Sequence, residues 1–225
     1  MRNLKKYSNH SGYTAATLEP DKNKVSYCQT ETHVHYDEKV YSSKIEYLQS
    51  DTNQYIETGV TPDDSTGIMV TLKRSNTTDT YLAGLRNDTN NTRWVIGSTS
   101  NIYAGWGSTL SSFNDNSGSK ITVYLNYLND RKWRNSLNDT YYSLSTLSFT
   151  PAYNIRLFGS AGVSASYTKW SGKIYAVKIT QGSNVVMDLI PVRVKQVGYM
   201  YDKISGQLFG NSGTGNFTLG PDITE

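Results

Sequence analysis

A single cysteine, Cys28, in 225 residues leaves no internal disulfide to form, so the fold does not depend on oxidation. A lone thiol of this kind is most often packed as a small hydrophobe. Long apolar runs are missing too. No stretch reaches the roughly 18 consecutive apolar residues that a membrane-spanning helix needs. The start, Met1-Arg2-Asn3-Leu4-Lys5-Lys6-Tyr7, runs into polar Ser8-Asn9-His10-Ser11, where a secretion signal would carry an apolar stretch. The chain is therefore expected to be made soluble, unprocessed at its start and not inserted in a membrane. Charge is scarce at 18% of residues and nearly balanced, with a net value of +3. The densest basic cluster, Arg131-Lys132-Trp133-Arg134, is one short patch rather than the stripe a nucleic-acid binder concentrates. It reads as solvated, exposed surface, and no nucleic-acid partner is expected. Ala, Leu, Glu and Lys, which build helical bundles, are scarce as well.

What is present is tyrosine and glycine, 18 of each, among abundant Ser, Thr and Asn. An aromatic share of 12% in so polar a chain describes a β protein with a hydroxyl-and-amide surface and an aromatic, β-branched core. Residues 1–24 carry no strong period, and Glu19-Pro20-Asp21-Lys22-Asn23 is a turn cluster. Short β-like runs follow, Val25-Ser26-Tyr27-Cys28 and His33-Val34-His35-Tyr36. A segment this small buries too little surface to fold alone and must dock on something. From about Ile45 strands succeed one another. Ile68, Val70 and Leu72 alternate with Met69, Thr71 and Lys73, and Ile121, Val123 and Leu125 alternate with Lys120, Thr122 and Tyr124. Further strands are expected within 55–60, 81–85, 93–96, 101–104, 141–147, 155–158, 173–179 and 185–190, separated by turns rich in Asn, Asp, Gly and Ser. All five prolines fall outside the interiors of these expected strands. About a dozen short strands without a convincing helix make an all-β, two-sheet sandwich, most simply a jelly roll. The division is a small extended segment 1–44 and a β domain 45–225.

Several stretches go beyond class. Ile45-Glu46-Tyr47-Leu48-Gln49-Ser50 with Gln54-Tyr55-Ile56-Glu57-Thr58-Gly59 resembles the opening strand pair of a concanavalin A-like, laminin-G-like domain. The likeness continues through Trp170-Ser171-Gly172-Lys173-Ile174-Tyr175 and Asp188-Leu189-Ile190-Pro191-Val192-Arg193. Its most specific part is the ending, Gly198-Tyr199-Met200-Tyr201-Asp202-Lys203-Ile204-Ser205-Gly206 with Phe209-Gly210-Asn211. This variant is common in gut Bacteroidetes and their phages. The ending reads as a hairpin whose turn holds Lys203, Ser205 and Gly206, with Tyr201, Leu208 and Phe209 packed around it. Leu4-Lys5-Lys6-Tyr7 and the runs around Tyr27, Cys28 and Tyr36 are similar to the short leader of virion and surface proteins of such phages. The resemblance implies a modular design, an anchor carrying Tyr7, Tyr27, Cys28 and Tyr36 followed by a displayed domain.

Catalysis is not expected. Glycoside hydrolysis needs two carboxyls flanking the scissile bond. The retaining enzymes of the concanavalin A-like fold carry a Glu-x-Asp-x-x-Glu pattern, which is missing here. Glu46 and Glu57 lie in the opening pair, Asp63-Asp64 in a turn, and the next Glu after Glu57 is Glu225. His33-Val34-His35 is the sharpest metal candidate, because residues two apart on a strand face the same way. Two ligands per chain would close a site only through symmetry, as a trimer would supply. The alternative is two solvated histidines flanking a buried Val34. A calcium ion would suit the oxygen-rich loops Asn114-Asp115-Asn116 and Asn87-Asp88, which equally suit ordinary β-turns. No cofactor is otherwise expected. For sugar binding, Trp106, Tyr103, Trp133 and Asn101 are the candidates, with Tyr103-Ala104-Gly105-Trp106-Gly107 read as an accessible loop and Trp94 and Trp170 as core.

These readings converge on a non-enzymatic component of a bacteriophage virion. It would be a head fibre or decoration protein anchored to the capsid by its N-terminal segment, displayed at the virion surface after synthesis in the host cytoplasm. Its expected partners are other virion proteins, itself as a homotrimer, and a host-surface glycan. A bacterial surface adhesin outside any virion is the alternative.

Overall fold

The computed structural model describes residues 40–75, 80–87, 92–98, 101–113, 118–137, 140–147, 150–162 and 170–224. The chain divides into two compact units, Met1–Lys39 and Val40–Glu225. Tyr7, Tyr27, Cys28, His33, His35 and Tyr36 therefore lie outside the described residues, as do Asp88 and the loop 114–117.

In chain order the strands begin with β1 (Ser43–Lys44), β2 (Leu48–Asp51), β3 (Ile56–Glu57), β4 (Thr66–Arg74), β5 (Thr80–Asn87) and β6 (Thr92–Ser98). Next come β7 (Ile102–Gly107), β8 (Thr109–Phe113), β9 (Ile121–Leu125), β10 (Lys132–Asn135), β11 (Tyr141–Ser143) and β12 (Arg156–Leu157). The last are β13 (Ser171–Gln181), β14 (Asn184–Val194), β15 (Val197–Asp202), β16 (Leu208–Phe209) and β17 (Thr218–Leu219). A single 3-10 turn, Tyr127–Asn129, is the helical element among the described residues. The strands form two antiparallel sheets, so the protein is all-β. One has eleven described strands, ordered β11-β10-β9-β4-β13-β14-β15-β16 with β1 beside β14 and β2 between β13 and β17. The other has six, ordered β3-β12-β5-β6-β7-β8.

Alternation explains the core. Ile68, Val70 and Leu72 of β4 and Ile121, Val123 and Leu125 of β9 all point to one side and are buried. β13 keeps step through Ile174, Val177 and Ile179 because a bulge between Ile174 and Ala176 resets its phase. From the smaller sheet Leu82, Ala83 and Leu85, then Trp94 and Ile96, meet them in one core cluster. Two sheets sharing one core make a β-sandwich. Aromatic pairs tie it together. Phe158 packs on Trp170 at 5.8 Å and on Phe217 at 4.8 Å. At the β8 edge Phe113 packs on Trp133 at 5.3 Å and on Tyr142 at 5.0 Å, and the Tyr142 hydroxyl donates to the Ser112 carbonyl at 2.9 Å.

Both ends of the described sandwich enter the same sheet. Ser43 and Lys44 pair with Arg193 and Val192, and Ile45 bridges to Asp222. The compact unit begins at Val40, ahead of β1, which belongs to the larger sheet. The terminal hairpin forms as expected, with Met200 opposite Phe209 and Tyr201 opposite Leu208. Its turn is organised by Asp202, whose carboxylate accepts from the Asp188 amide at 2.8 Å, the Ile204 amide at 3.2 Å, the Ser205 amide at 3.1 Å and the Ser205 hydroxyl at 2.6 Å.

Asn126, between β9 and the 3-10 turn, is fully buried in a left-handed conformation (φ 49°). Its Nδ2 donates to the Asp64 and Thr66 carbonyls at 3.1 and 3.2 Å, and its Oδ1 accepts from the Arg131 amide at 3.0 Å. Glycine would keep this backbone and lose all three bonds. Asn126→Gly should therefore lower stability by about 1–3 kcal/mol in urea denaturation.

Candidate functional site

The aromatic residues expected at a sugar site are divided by the sandwich. Trp106 is only 3% exposed. The segment 103–107 is not a loop but most of β7, in which Ile102, Ala104 and Trp106 face the core. Gly105, beside Trp106, is itself buried, and an added Cβ there would strike the aliphatic stem of Arg93 at 2.3 Å. The Trp106 indole N–H donates to the Ser145 carbonyl at 2.7 Å. Trp133 is fully buried, so the basic run 131–134 is not uniformly exposed: Lys132 and Arg134 face out and Trp133 faces in. Neither tryptophan can meet a ligand at the surface. Tyr103 is partly exposed on the outer face of the smaller sheet, where its ring crosses Gly97 and lies 6.3 Å from the ring of Tyr81. Asn101 precedes β7 and is also partly exposed. Trp94 and Trp170 are core, as expected.

The carboxylates hold structure. Glu57 Oε1 accepts from Arg156 Nε at 2.8 Å and Nη2 at 2.5 Å, while the guanidinium sits 4.0 Å over Tyr55. Asp64 is paired with Arg131, whose hydrogen bonds hold the Asp64 carboxyl below its ordinary range. Among the described residues, no three His, Cys, Asp or Glu side chains are grouped to hold a metal ion. No helix there is long and apolar enough to cross a membrane.

The larger sheet presents a different surface. Opposite its core side, register brings together residues far apart in sequence. Lys173 lies across from Lys73 on one side and Gln49 on the other, and Gln49 lies across from Thr218. Lys120, one residue before the Leu72–Ile121 pair, extends the row past Lys73. Two tyrosines interleave with it. Tyr47 and Tyr175 meet edge to face at 5.6 Å, with Lys173 Nζ 3.9 Å from the Tyr47 ring centre and Lys120 Nζ 4.0 Å from that of Tyr175. Such contacts contribute about 0.5–1 kcal/mol at exposed sites and fix where the ammonium groups stand. A hydrogen bond with Tyr47 pushes the Lys173 ammonium above its ordinary pKa, and burial pushes the Tyr175 phenol up. At neutral pH the first is charged and the second neutral. Glu46 lies 4.0 Å from Lys120 and its charge also acts on Lys173, and among the described residues no carboxylate forms an ion pair with Lys73 or Lys173.

A parallel row on the same face runs Tyr141, Arg134, Tyr124, Met69, Lys178, Asp188. Here the cations are already matched, Arg134 to Asp130 at 3.3 Å and Lys178 to Asp188 at 3.1 Å. Between the rows Thr71 and Thr122 share a hydrogen bond of 2.9 Å. The face thus carries hydroxyls, amides and ring-seated cations, with its unmatched positive charge in the lysine row. The sequence signalled none of this grouping, because positions 73, 120 and 173 become neighbours only through strand register.

No protein-family profile matches the chain, and no curated protein matches it.

Proposed function

We propose that this chain is a non-enzymatic component of a bacteriophage virion, a capsid-attached head fibre or decoration protein. Its N-terminal unit attaches to the particle and its sandwich is displayed, as a homotrimer, at the virion surface. In this reading the sandwich is a jelly roll of the concanavalin A-like, laminin-G-like kind, and its outer face meets a glycan of the host. The observation that carries the reading is the division of the chain between Lys39 and Val40. It leaves an all-β unit whose own first and last strands are stitched into one sheet, a module that can be carried by a separate leader. The resemblances at both ends of the sequence supply the virion context.

The test is co-sedimentation with particles lacking this protein, comparing the full chain with a chain starting at Val40. The full chain should sediment and the shorter one should stay in solution. Equal sedimentation of both would place the contact in the sandwich and sink the display reading. Sedimentation of neither favours a bacterial surface adhesin outside any virion, a second reading that the exposed lysine row also supports.

A further inference from the structure

We propose that the outer face of the larger sheet, centred on Lys73, Lys120 and Lys173, binds an acidic polysaccharide. This rests on the adhesion half of the function proposed above and names its ligand class.

Three features single out that chemistry. The first is charge. The lysines come from adjacent strands, which are spaced about 4.8 Å apart, so their backbone positions form a line across the sheet, with the Lys120 and Lys173 ammonium groups seated on the Tyr175 and Tyr47 rings. An extended chain with an anion on successive sugar units matches such a line. Among the described residues the ion pair in the line is Lys120 with Glu46 at 4.0 Å, both about half exposed (51% and 45%), and exposed Asp51 shares the face two residues from Gln49. A contact of this kind is weak and easily exchanged for a ligand anion.

The second feature is how the rings are used. A neutral sugar or a nucleic-acid base needs an open aromatic face for stacking. Lys173 stands over one face of Tyr47, and the ring's carbons come within 3.1 Å of where a Cβ on Gly220 would sit. Lys120 stands over Tyr175. The tyrosines therefore seat cations instead of offering stacking platforms, and the cations are what meets the ligand. The third feature is the company the lysines keep. Gln49 and Thr218 continue the row, and Thr71 and Thr122 lie beside it. These amide and hydroxyl groups can donate to and accept from sugar hydroxyls, which a phosphodiester backbone does not supply in number. A lipid surface would want exposed apolar side chains here, and the exposed large apolar residues of the sandwich, such as Leu110, Ile204 and Ile223, are not in this row.

The test uses the full chain in affinity electrophoresis through gels containing dextran, dextran sulfate or polygalacturonate, with oligothymidylate as a competitor. Retardation is expected in both acidic polymers and not in dextran, weakening as salt rises. A Lys73→Glu, Lys173→Glu variant with an unchanged melting temperature should bind roughly tenfold more weakly or worse. If charge reversal lowers the melting temperature, the Lys73→Gln, Lys173→Gln pair replaces it. The proposal is overturned by any of three results: neither acidic polymer retards the protein beyond dextran, a folded variant binds like the wild type, or oligothymidylate displaces the acidic polymers at equal charge. Retardation by dextran as strong as by its sulfate would keep a glycan adhesin and discard the acidic ligand. Failure with all three polymers would remove adhesion altogether and leave particle attachment to the co-sedimentation result.

Discussion

Trp133→Ala should lower the stability of the sandwich by about 3–5 kcal/mol, among the largest losses any single core truncation here can produce. Trp133 lies in the larger sheet, fully buried, and packs on Phe113 of the smaller one, so its removal opens a cavity between the sheets at the β8 edge. The rigid frames of β10 and β8 leave little room for collapse. Among the described residues its indole nitrogen has no hydrogen-bond partner. Trp133→Phe therefore sacrifices volume but no polar contact and should cost about half as much or less. Urea titration of the two variants gives the comparison. Equal losses for both would mean that the indole nitrogen, not the packing, carries the effect.

Asp202→Ala comes next, with an expected loss of about 2–4 kcal/mol. The side chain is 2% exposed and sits inside the terminal turn. Removing it takes the acceptor from the amides of Asp188, Ile204 and Ser205 and from the Ser205 hydroxyl. The same carboxylate ties stability to pH. Burial by itself would raise its pKa, but the hydrogen bonds from the Ser205 hydroxyl and the three amides outweigh burial and hold it below 3.8. A carboxyl with a lowered folded pKa contributes stability that is present above the unfolded value, roughly 3.9. That contribution is lost as the pH falls through the folded value. Melting temperatures measured down to about pH 2 should fall, and fall less steeply for Asp202→Ala than for the wild type. Part of the slope will survive in the variant, because Asp63 and Asp64 are also held low. An identical slope in both proteins would show that Asp202 does not titrate with folding.

Several of these features were legible in the sequence and several were not, and the difference has one cause. Period-two alternation in 68–73 and 120–125 gave strands β4 and β9 with the correct faces. The ending around Tyr201 and Phe209 formed the expected hairpin. Trp106 was misread because flanking glycines suggested access, whereas alternation along β7 places it with Ile102 and Ala104. Trp133 was misread for the same reason, its charged neighbours taken as a guide to its own surroundings. On a strand, adjacent residues report the opposite face, so the better guide lies two positions away. The lysine row lies beyond even that rule. Its members are neighbours across hydrogen-bonded ladders, and the pairing of β4 with both β9 and β13 is a property of topology that no local pattern announces.

The stitching of the first and last described residues has a mechanical consequence. Ser42 N–H donates to the Arg193 carbonyl at 2.8 Å, Ile223 N–H donates to the Lys44 carbonyl at 2.9 Å, and Arg193 grips Asp222 through two contacts of 2.7 Å. A pull transmitted through Val40 would first load these few bonds, which link the entering strand to β14 and both to residues 222 and 223. Until they part, the tension runs into β14, a strand with neighbours on both sides, and the layers beyond it are shielded. If the sandwich is tethered at that end, as proposed above, the joint would act as a strain relief.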